Sequence, residues 1–202
     1  MEVDENWWRL GLTAADMFPY EPTLMELLYD RLNSGDVFYN IGARWGVFSL
    51  LASECGVTPT GIHSFEADED SVELLRRNVD PETHIVHSFV GEGDDDGSVS
   101  VDAYSEEHVE PTLMKIDVEG AEGRVIRGSR RTLRDNSPEL FIEMHPQKIE
   151  AMDDEQGDII STLESHGYKL EVFLKHRDGN QSVPVTDATL PTDGDYLLWA
   201  RE

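Results

Sequence analysis

Two polar residues stand where apolar runs end, in positions that can do chemistry. Asp117 ends the run Thr112 to Asp117, and His145 closes the run that begins at Glu139. Both runs read as strands, and in an open α/β sheet ligands bind at the carboxyl edge of the strands. A carboxylate there can orient or deprotonate a ligand group, and an imidazole can take a proton near neutral pH. Each has a purely structural alternative: Asp117 capping the helix that starts after Gly120, and His145 holding the turn before Pro146. Glu119 and Glu122 lie close to Asp117, and three acids in so short a span can cradle a divalent cation. In a chain with 42 acidic residues, however, we expect solvated carboxylates and no metal. Lys115, inside the same strand, is expected to pair with Glu143 of the neighbouring one.

A second constellation lies upstream. The apolar run Val37 to Ile41 ends in Gly42 and Gly46, after which an apolar helix-like run begins. A strand, a glycine turn and a helix start suit a nucleotide, because glycine lets backbone approach the ligand and the helix N-terminus offers unpaired N–H groups. The next short strand, Gly61 to Phe65, ends at Glu66. A carboxylate at that tip can accept from both hydroxyls of a ribose. The spacing Gly42-x-x-x-Gly46 is not Gly-x-Gly-x-x-Gly, which counts against a nicotinamide oxidoreductase.

The elements that must position these residues alternate along the chain. Pro22 opens a helix with Leu24, Leu27, Leu28 and Leu32 at helical spacing, stopped by Asn33-Ser34-Gly35. Strands are expected at 36–41, 61–66, 84–89, 112–117, 139–143, 168–174 and 196–200, with a further small one at 98–101. Helices are expected from about Val72 to Val79 with Asp70-Ser71 as cap, from Asp102 to His108, from Ala121 to Leu133, and from Asp158 to His166 with Gly167 as its left-handed stop. The stretch 176–192 reads as loop. Strands alternating with helices predict a parallel sheet with right-handed crossovers. The last two strands have no helix between them and should pair antiparallel. Residues 1–20, with Trp7-Trp8 and Met17-Phe18-Pro19-Tyr20, read as an N-terminal arm or lid rather than a domain.

Composition sets the partners. The net charge is −26, from 42 acids against 16 bases. The acids are spread along the chain, so they read as a solvated surface, with one local cluster at Glu92-Gly93-Asp94-Asp95-Asp96. Scarce lysine and abundant acid suit a halophilic protein, because salt screens the self-repulsion. The same charge argues against nucleic acid and anionic membranes as partners. One cysteine, Cys55, permits no internal disulfide. No signal-like start and no apolar run of membrane length occurs, so a cytoplasmic location is expected. The arginines at 124, 127, 130, 131 and 134 form the densest basic patch and are expected to pair with surface acids.

Four stretches together resemble a known family: Val37 to Ser53; Ser64-Phe65-Glu66-Ala67; Met114-Lys115-Ile116-Asp117-Val118-Glu119-Gly120-Ala121-Glu122; and Phe141-Ile142-Glu143-Met144-His145-Pro146. They are similar to the FkbM-type methyltransferases, over roughly residues 20 to 200. The resemblance implies a single Rossmann-like α/β domain, residues 21–202, with a seven-stranded S-adenosylmethionine (SAM) methyltransferase sheet, helices on both faces and the last strand antiparallel. It implies SAM as cofactor, held around Asn40, Gly42, Ala43, Arg44, Gly46 and Glu66, with Asp117 and His145 as the catalytic candidates. It implies methyl transfer to a hydroxyl oxygen, with a small molecule or a glycan as acceptor. The family usually carries Asp where this chain has Asn40, and Asn where it has Arg44. A SAM-binding module without catalysis, acting as a partner or regulator, is therefore the alternative.

Overall fold

The short apolar runs assemble into one mostly parallel sheet. The computed structural model describes residues 21–93, 97–178 and 181–202; the expected arm at 1–20 and the acids Asp94 to Asp96 lie outside the described residues. In chain order the elements are α1 (Pro22–Arg31), β1 (Phe38–Ile41), α2 (Val47–Glu54), β2 (Ile62–Glu66), α3 (Glu69–Asn78), β3 (His84–His87), α4 (Val101–Glu107) and β4 (Leu113–Ile116). They continue as α5 (Glu122–Arg127), α6 (Arg130–Asp135), β5 (Glu139–Met144), α7 (Pro146–Ala151), α8 (Gln156–Ser165), β6 (Lys169–Phe173), β7 (Val183–Pro184) and β8 (Tyr196–Arg201).

The sheet order is β3-β2-β1-β4-β5-β8-β6-β7. The first five strands of that order pair parallel, and β8 inserts antiparallel between β5 and β6. The expected α/β sheet with an antiparallel end is therefore present. It has eight strands rather than seven, because Val183 and Pro184 add the two-residue edge strand β7 beside β6. Proline is tolerated there, since an edge strand leaves one row of backbone groups unpaired. No helix among the described residues is long and apolar enough to cross a membrane.

Each sheet face has its own core, as the two-residue alternation of a strand requires. Tyr39, Ile41, Met114, Ile116, Ile142 and Met144 pack under Val125, Ile126, Leu133 and Ile159. Phe38, Leu113, Phe141, Leu197 and Trp199 pack on the other face against Leu24, Leu28 and Phe48. Lys115, two residues from Leu113, faces this second layer with its ammonium 5.1 Å from the Phe48 ring centre.

Several local expectations are corrected. Helix α3 starts earlier than Val72, at Glu69, because Asp68 rather than Asp70 accepts the capping bond, from Ser71 N–H at 2.8 Å. The expected strand at 98–101 is only a single bridge between Val90 and Val99; Ser100 instead caps α4. The helix expected from Ala121 to Leu133 is two helices, α5 and α6. The chain bends at Gly128, where a side chain would meet the Gly91 carbonyl oxygen at 1.8 Å. The 176–192 stretch carries two short 3-10 turns and β7. Helix α7 was not anticipated. Its sequence, Pro146 to Ala151, is too short to show a helical period, although Pro146 at the first turn is the usual start signal.

The arginines expected to pair with acids do so at three positions. Arg127 meets Glu92 and Asp154, Arg131 meets Glu110, and Arg134 meets Asp135.

Beside β2 a ring cluster sets an acid limit on stability. His63 is buried, stacked on His84 at 4.4 Å, and its Nδ1 shares a hydrogen bond with the Tyr104 hydroxyl at 2.9 Å. Burial, then the neighbouring His84 and His108, push the His63 imidazole down to about 3. The unfolded chain takes up this proton near pH 6.5, before the folded chain does. The stabilisation is thus complete above about pH 6.5 and is lost as pH falls toward 3. Chemical denaturation at pH 7 and pH 4 is expected to show a loss of a few kcal/mol that shrinks in His63→Phe. An equal loss in the variant would place the acid sensitivity elsewhere.

Candidate active site

A cleft of ≈ 1190 Å³ opens at the carboxyl edge of β1, β2, β4 and β5. Single-ligand pockets commonly span about 300–1,000 Å³, so this space can take a nucleotide cofactor and an acceptor together. Its lining includes Gly42, Ala43, Arg44, Glu66, Phe89, Lys115, Asp117, Glu143 and His145.

The glycine turn forms one wall. Gly42 and Gly46 have φ of 77° and 90°, left-handed values that glycine adopts without strain. The turn is tied to β2: the Gly42 and Ala43 N–H groups both donate to the Phe65 carbonyl, at 3.0 and 2.8 Å. It is also pressed against the end of β4, where a side chain on Gly42 would lie 1.8 Å from the Asp117 carbonyl oxygen.

Glu66 sits at the tip of β2, half-buried, as the sequence leads one to expect. Its Oε2 accepts from Arg44 N–H at 2.7 Å, and its Oε1 from the N–H groups of Ala67 and Asp68 at 2.8 and 2.9 Å. Glu66 therefore fixes the turn as well as facing the cleft. Removing it would loosen both, so an effect on cofactor binding alone is not expected.

Asn40 lies elsewhere. It is fully buried on the α2 side of β1, outside the cleft lining. Its Nδ2 donates to Ser49 Oγ at 2.9 Å, and Ser49 Oγ lies 2.7 Å from Ser64 Oγ, a polar link joining β1, α2 and β2 beneath the turn. Its Oδ1 has no partner. Arg44 is exposed at the turn's crest with φ of 49°, and its guanidinium rests 4.2 Å over the Trp45 ring. It lines the cleft but is held by an aromatic face.

The catalytic candidates Asp117 and His145 come together across β4 and β5. The register sets Lys115 beside Phe141, which brings Asp117 level with Glu143. Lys115 does not pair with Glu143. Its buried ammonium donates to Asp117 Oδ2 at 3.1 Å and to the Gly42 carbonyl at 2.9 Å, bracing the glycine turn against Asp117. Burial opposes this charge, but Asp117 and then Glu21 outweigh it and the Lys115 pKa rises. Glu143 is instead held by Arg177 at 2.6 Å and His176 at 3.2 Å. Burial would raise it, but these partners bring it down to about 2.

His145 is buried at the N-cap of α7 and does not cap it. Its Nδ1 lies 2.8 Å from Glu122 Oε1, which also accepts the Gly120 N–H, while its Nε2 lies 3.8 Å from Asp117 Oδ1. Burial lowers the imidazole, but Glu122, then Asp117 and Glu143, outweigh it and hold it up at about 9. Asp117 likewise caps nothing, since Ala121 occupies the N-cap of α5.

Three residues of this site were not singled out from the sequence. His176 and Arg177 come from the stretch read as loop. Glu21, at the start of α1, is buried with φ of 52° and faces the same cluster. Burial and then Glu143 push its carboxyl up to about 7. A glutamate before a helix-opening proline is the only trace any of the three left in the sequence.

SAM fits what is present. A glycine turn with no room for a side chain, a fixed carboxylate at the tip of β2 and the cleft between them are the parts such a cofactor needs.

Comparison with known proteins agrees. Residues 80–170 match the methyltransferase FkbM domain. No curated protein matches the sequence. Among solved structures, the chain resembles a SAM-dependent O-methyltransferase from Thermotoga maritima, at a TM-score of 0.57 and 13% identity over 95% of this chain and 71% of that one. An rRNA methylase from Streptococcus thermophilus gives 0.57 and 10% identity over 89% and 93%. A methyltransferase FkbM from Methylobacillus flagellatus gives 0.50 and 15% identity over 92% and 60%. At these identities the likeness is one of fold.

Proposed function

We propose, from the premise of a SAM-dependent methyltransferase that carries an FkbM domain over residues 80–170, that this chain methylates a hydroxyl oxygen of a small molecule or glycan. The observation that carries the reading is the convergence of Asp117, Lys115, Glu143 and His145 on the cleft floor beside the glycine turn.

SAM supplies an electrophilic methyl group. Gly42, Ala43 and Glu66 would hold it, with Arg44 at the rim, Asn40 supporting the turn from below and Gly46, outside the cleft lining, packed against Leu75 and Val79 behind the turn. The acceptor oxygen must be aligned and its proton removed. Asp117 lines the cleft with Oδ2 held by Lys115, and Oδ1, 3.8 Å from His145 Nε2, would take the acceptor proton. His145 is positioned by Glu122. With no cation bound, its imidazole, held up at about 9, carries a proton at neutral pH and donates beside Asp117 rather than acting as the first base; a cation on Nε2 would displace that proton.

The acidic surface supports an acceptor without phosphate-rich backbone, because nucleic acid is bound mainly through its phosphates. Titration of the protein with SAM and with NAD in molar KCl tests the cofactor. Transfer of a labelled methyl group to a panel of sugars, phenols and RNA tests the acceptor. Binding of NAD but not SAM, or methylation of RNA alone, would overturn the reading.

The charge of −26 also supports a brine-adapted protein. At 1 M salt the screening length falls to about 3 Å, from about 10 Å at 0.1 M. The thermal midpoint is expected to rise steeply from dilute buffer to molar KCl. A flat midpoint would refute the halophilic reading.

A further inference from the structure

We propose that Asp117, Glu143 and His145 form a binding site for a divalent cation, in a cleft that the unpartnered carboxylate of Glu21 also lines. The sequence alone suggested a different trio, Asp117, Glu119 and Glu122, and no metal. Folding separates that trio: Glu122 turns inward to His145, and Glu119 is exposed and paired with Lys148. The residue brought to Asp117 from β5 is Glu143, with His145 two positions on.

Three observations carry the site. First, one ligand atom from each of Asp117, Glu143 and His145 lies within 4.8 Å of the others, a spacing one ion can bridge. Second, His145 is mounted as a metal ligand is. Its Nδ1 is taken by the fully buried Glu122 at 2.8 Å, which fixes the ring and turns Nε2 toward Asp117 Oδ1 at 3.8 Å and Glu119 Oε2 at 3.7 Å. A carboxylate behind a ligating histidine is the usual outer partner in metal sites. Third, Glu21 is 7% exposed, lines the same cleft, and its Oε2 has no hydrogen-bond partner. A buried carboxylate oxygen left unsatisfied is costly unless a cation meets it.

The donor set, mainly carboxylate with one imidazole, suits Mn²⁺, which accepts both. The proposal rests on the methyl-transfer reading only for the ion's use. Open coordination positions toward the cleft would take a hydroxyl or vicinal diol of the acceptor and orient it beside Asp117.

The test uses EDTA-stripped protein in molar KCl, where surface acids are screened, titrated with MnCl₂ and followed by electron paramagnetic resonance. One tight site is expected, with pulsed spectra showing a coupled imidazole nitrogen. That coupling should vanish in His145→Gln. Affinity should fall at least tenfold in Asp117→Asn and in Glu143→Gln, and stay unchanged in the surface control Glu164→Gln. No tight site, bound Mn²⁺ without nitrogen coupling, or equal affinity in all variants would overturn the proposal. The nitrogen signal needs only wild-type protein, so a misfolded variant does not block the test. SAM titration of the same sample separates the two readings. SAM bound without Mn²⁺ overturns the cation site and leaves the methyltransferase reading standing. Mn²⁺ bound without SAM supports the site and overturns that reading.

Discussion

Asp117→Asn is expected to lower kcat by about 10²- to 10⁴-fold, the range general acid–base groups contribute, with SAM affinity little changed. The substitution keeps the shape of the side chain and removes its charge. Oδ2 now accepts from Lys115 at 3.1 Å and Oδ1 lies 3.8 Å from His145 Nε2. With an amide in place, the side chain beside Lys115 and His145 can no longer take the acceptor proton. Lys115, which is 2% exposed, keeps the Gly42 carbonyl as its partner, so the turn should survive. Single-turnover rates with saturating SAM give the readout, and circular dichroism checks the fold. A kcat within tenfold of wild type would remove Asp117 from the chemistry. A fall in SAM affinity that matches the fall in rate would make it a bracing residue for the turn.

Gly42→Ala is expected to damage both the fold and the cofactor site. The added carbon would lie 1.8 Å from the Asp117 carbonyl oxygen and 2.9 Å from its carbon, backbone atoms that cannot swing aside. The left-handed φ of 77° adds strain of about 1–2 kcal/mol for a residue with a side chain. Gly167→Ala gives the reference: its φ is 91° and nothing lies within 4 Å of the added carbon. Chemical denaturation should show Gly42→Ala losing clearly more stability than Gly167→Ala, and calorimetry should show SAM binding weakened beyond tenfold. Equal losses would mean that β1 and β4 can part without cost at this point, and the turn would not be a rigid wall.

The sequence by itself determined the parallel sheet, its antiparallel end, the glycine turn and the edge where the site would lie. These are legible because they follow from local rules. Apolar runs of strand length alternate with helical periods, glycines mark the left-handed turn, and the two-residue alternation of β4 sets Lys115 and Asp117 on one face. The place of Glu66 at the tip of β2 was legible for the same reason, since a strand tip has a fixed place in the sheet. Local rules also misled where backbone contacts decided the outcome. Nothing in the run from Ala121 to Leu133 shows that Gly128 must touch the Gly91 carbonyl and break the helix.

Only the tertiary structure decided which charges share the buried floor. Long side chains can reach several partners, and the choice depends on which strands are neighbours and which loops fold over them. Lys115 takes Asp117 and the Gly42 carbonyl, while Glu143 takes Arg177 from a segment 34 residues away. Glu21 enters the same cluster because α1 packs on that sheet face. Asn40 is drawn beneath the turn to Ser49 because strand alternation points it at α2. These pairings are set by desolvation: once buried, each charge must find its partner within hydrogen-bond reach, and a sequence does not say what lies within that reach.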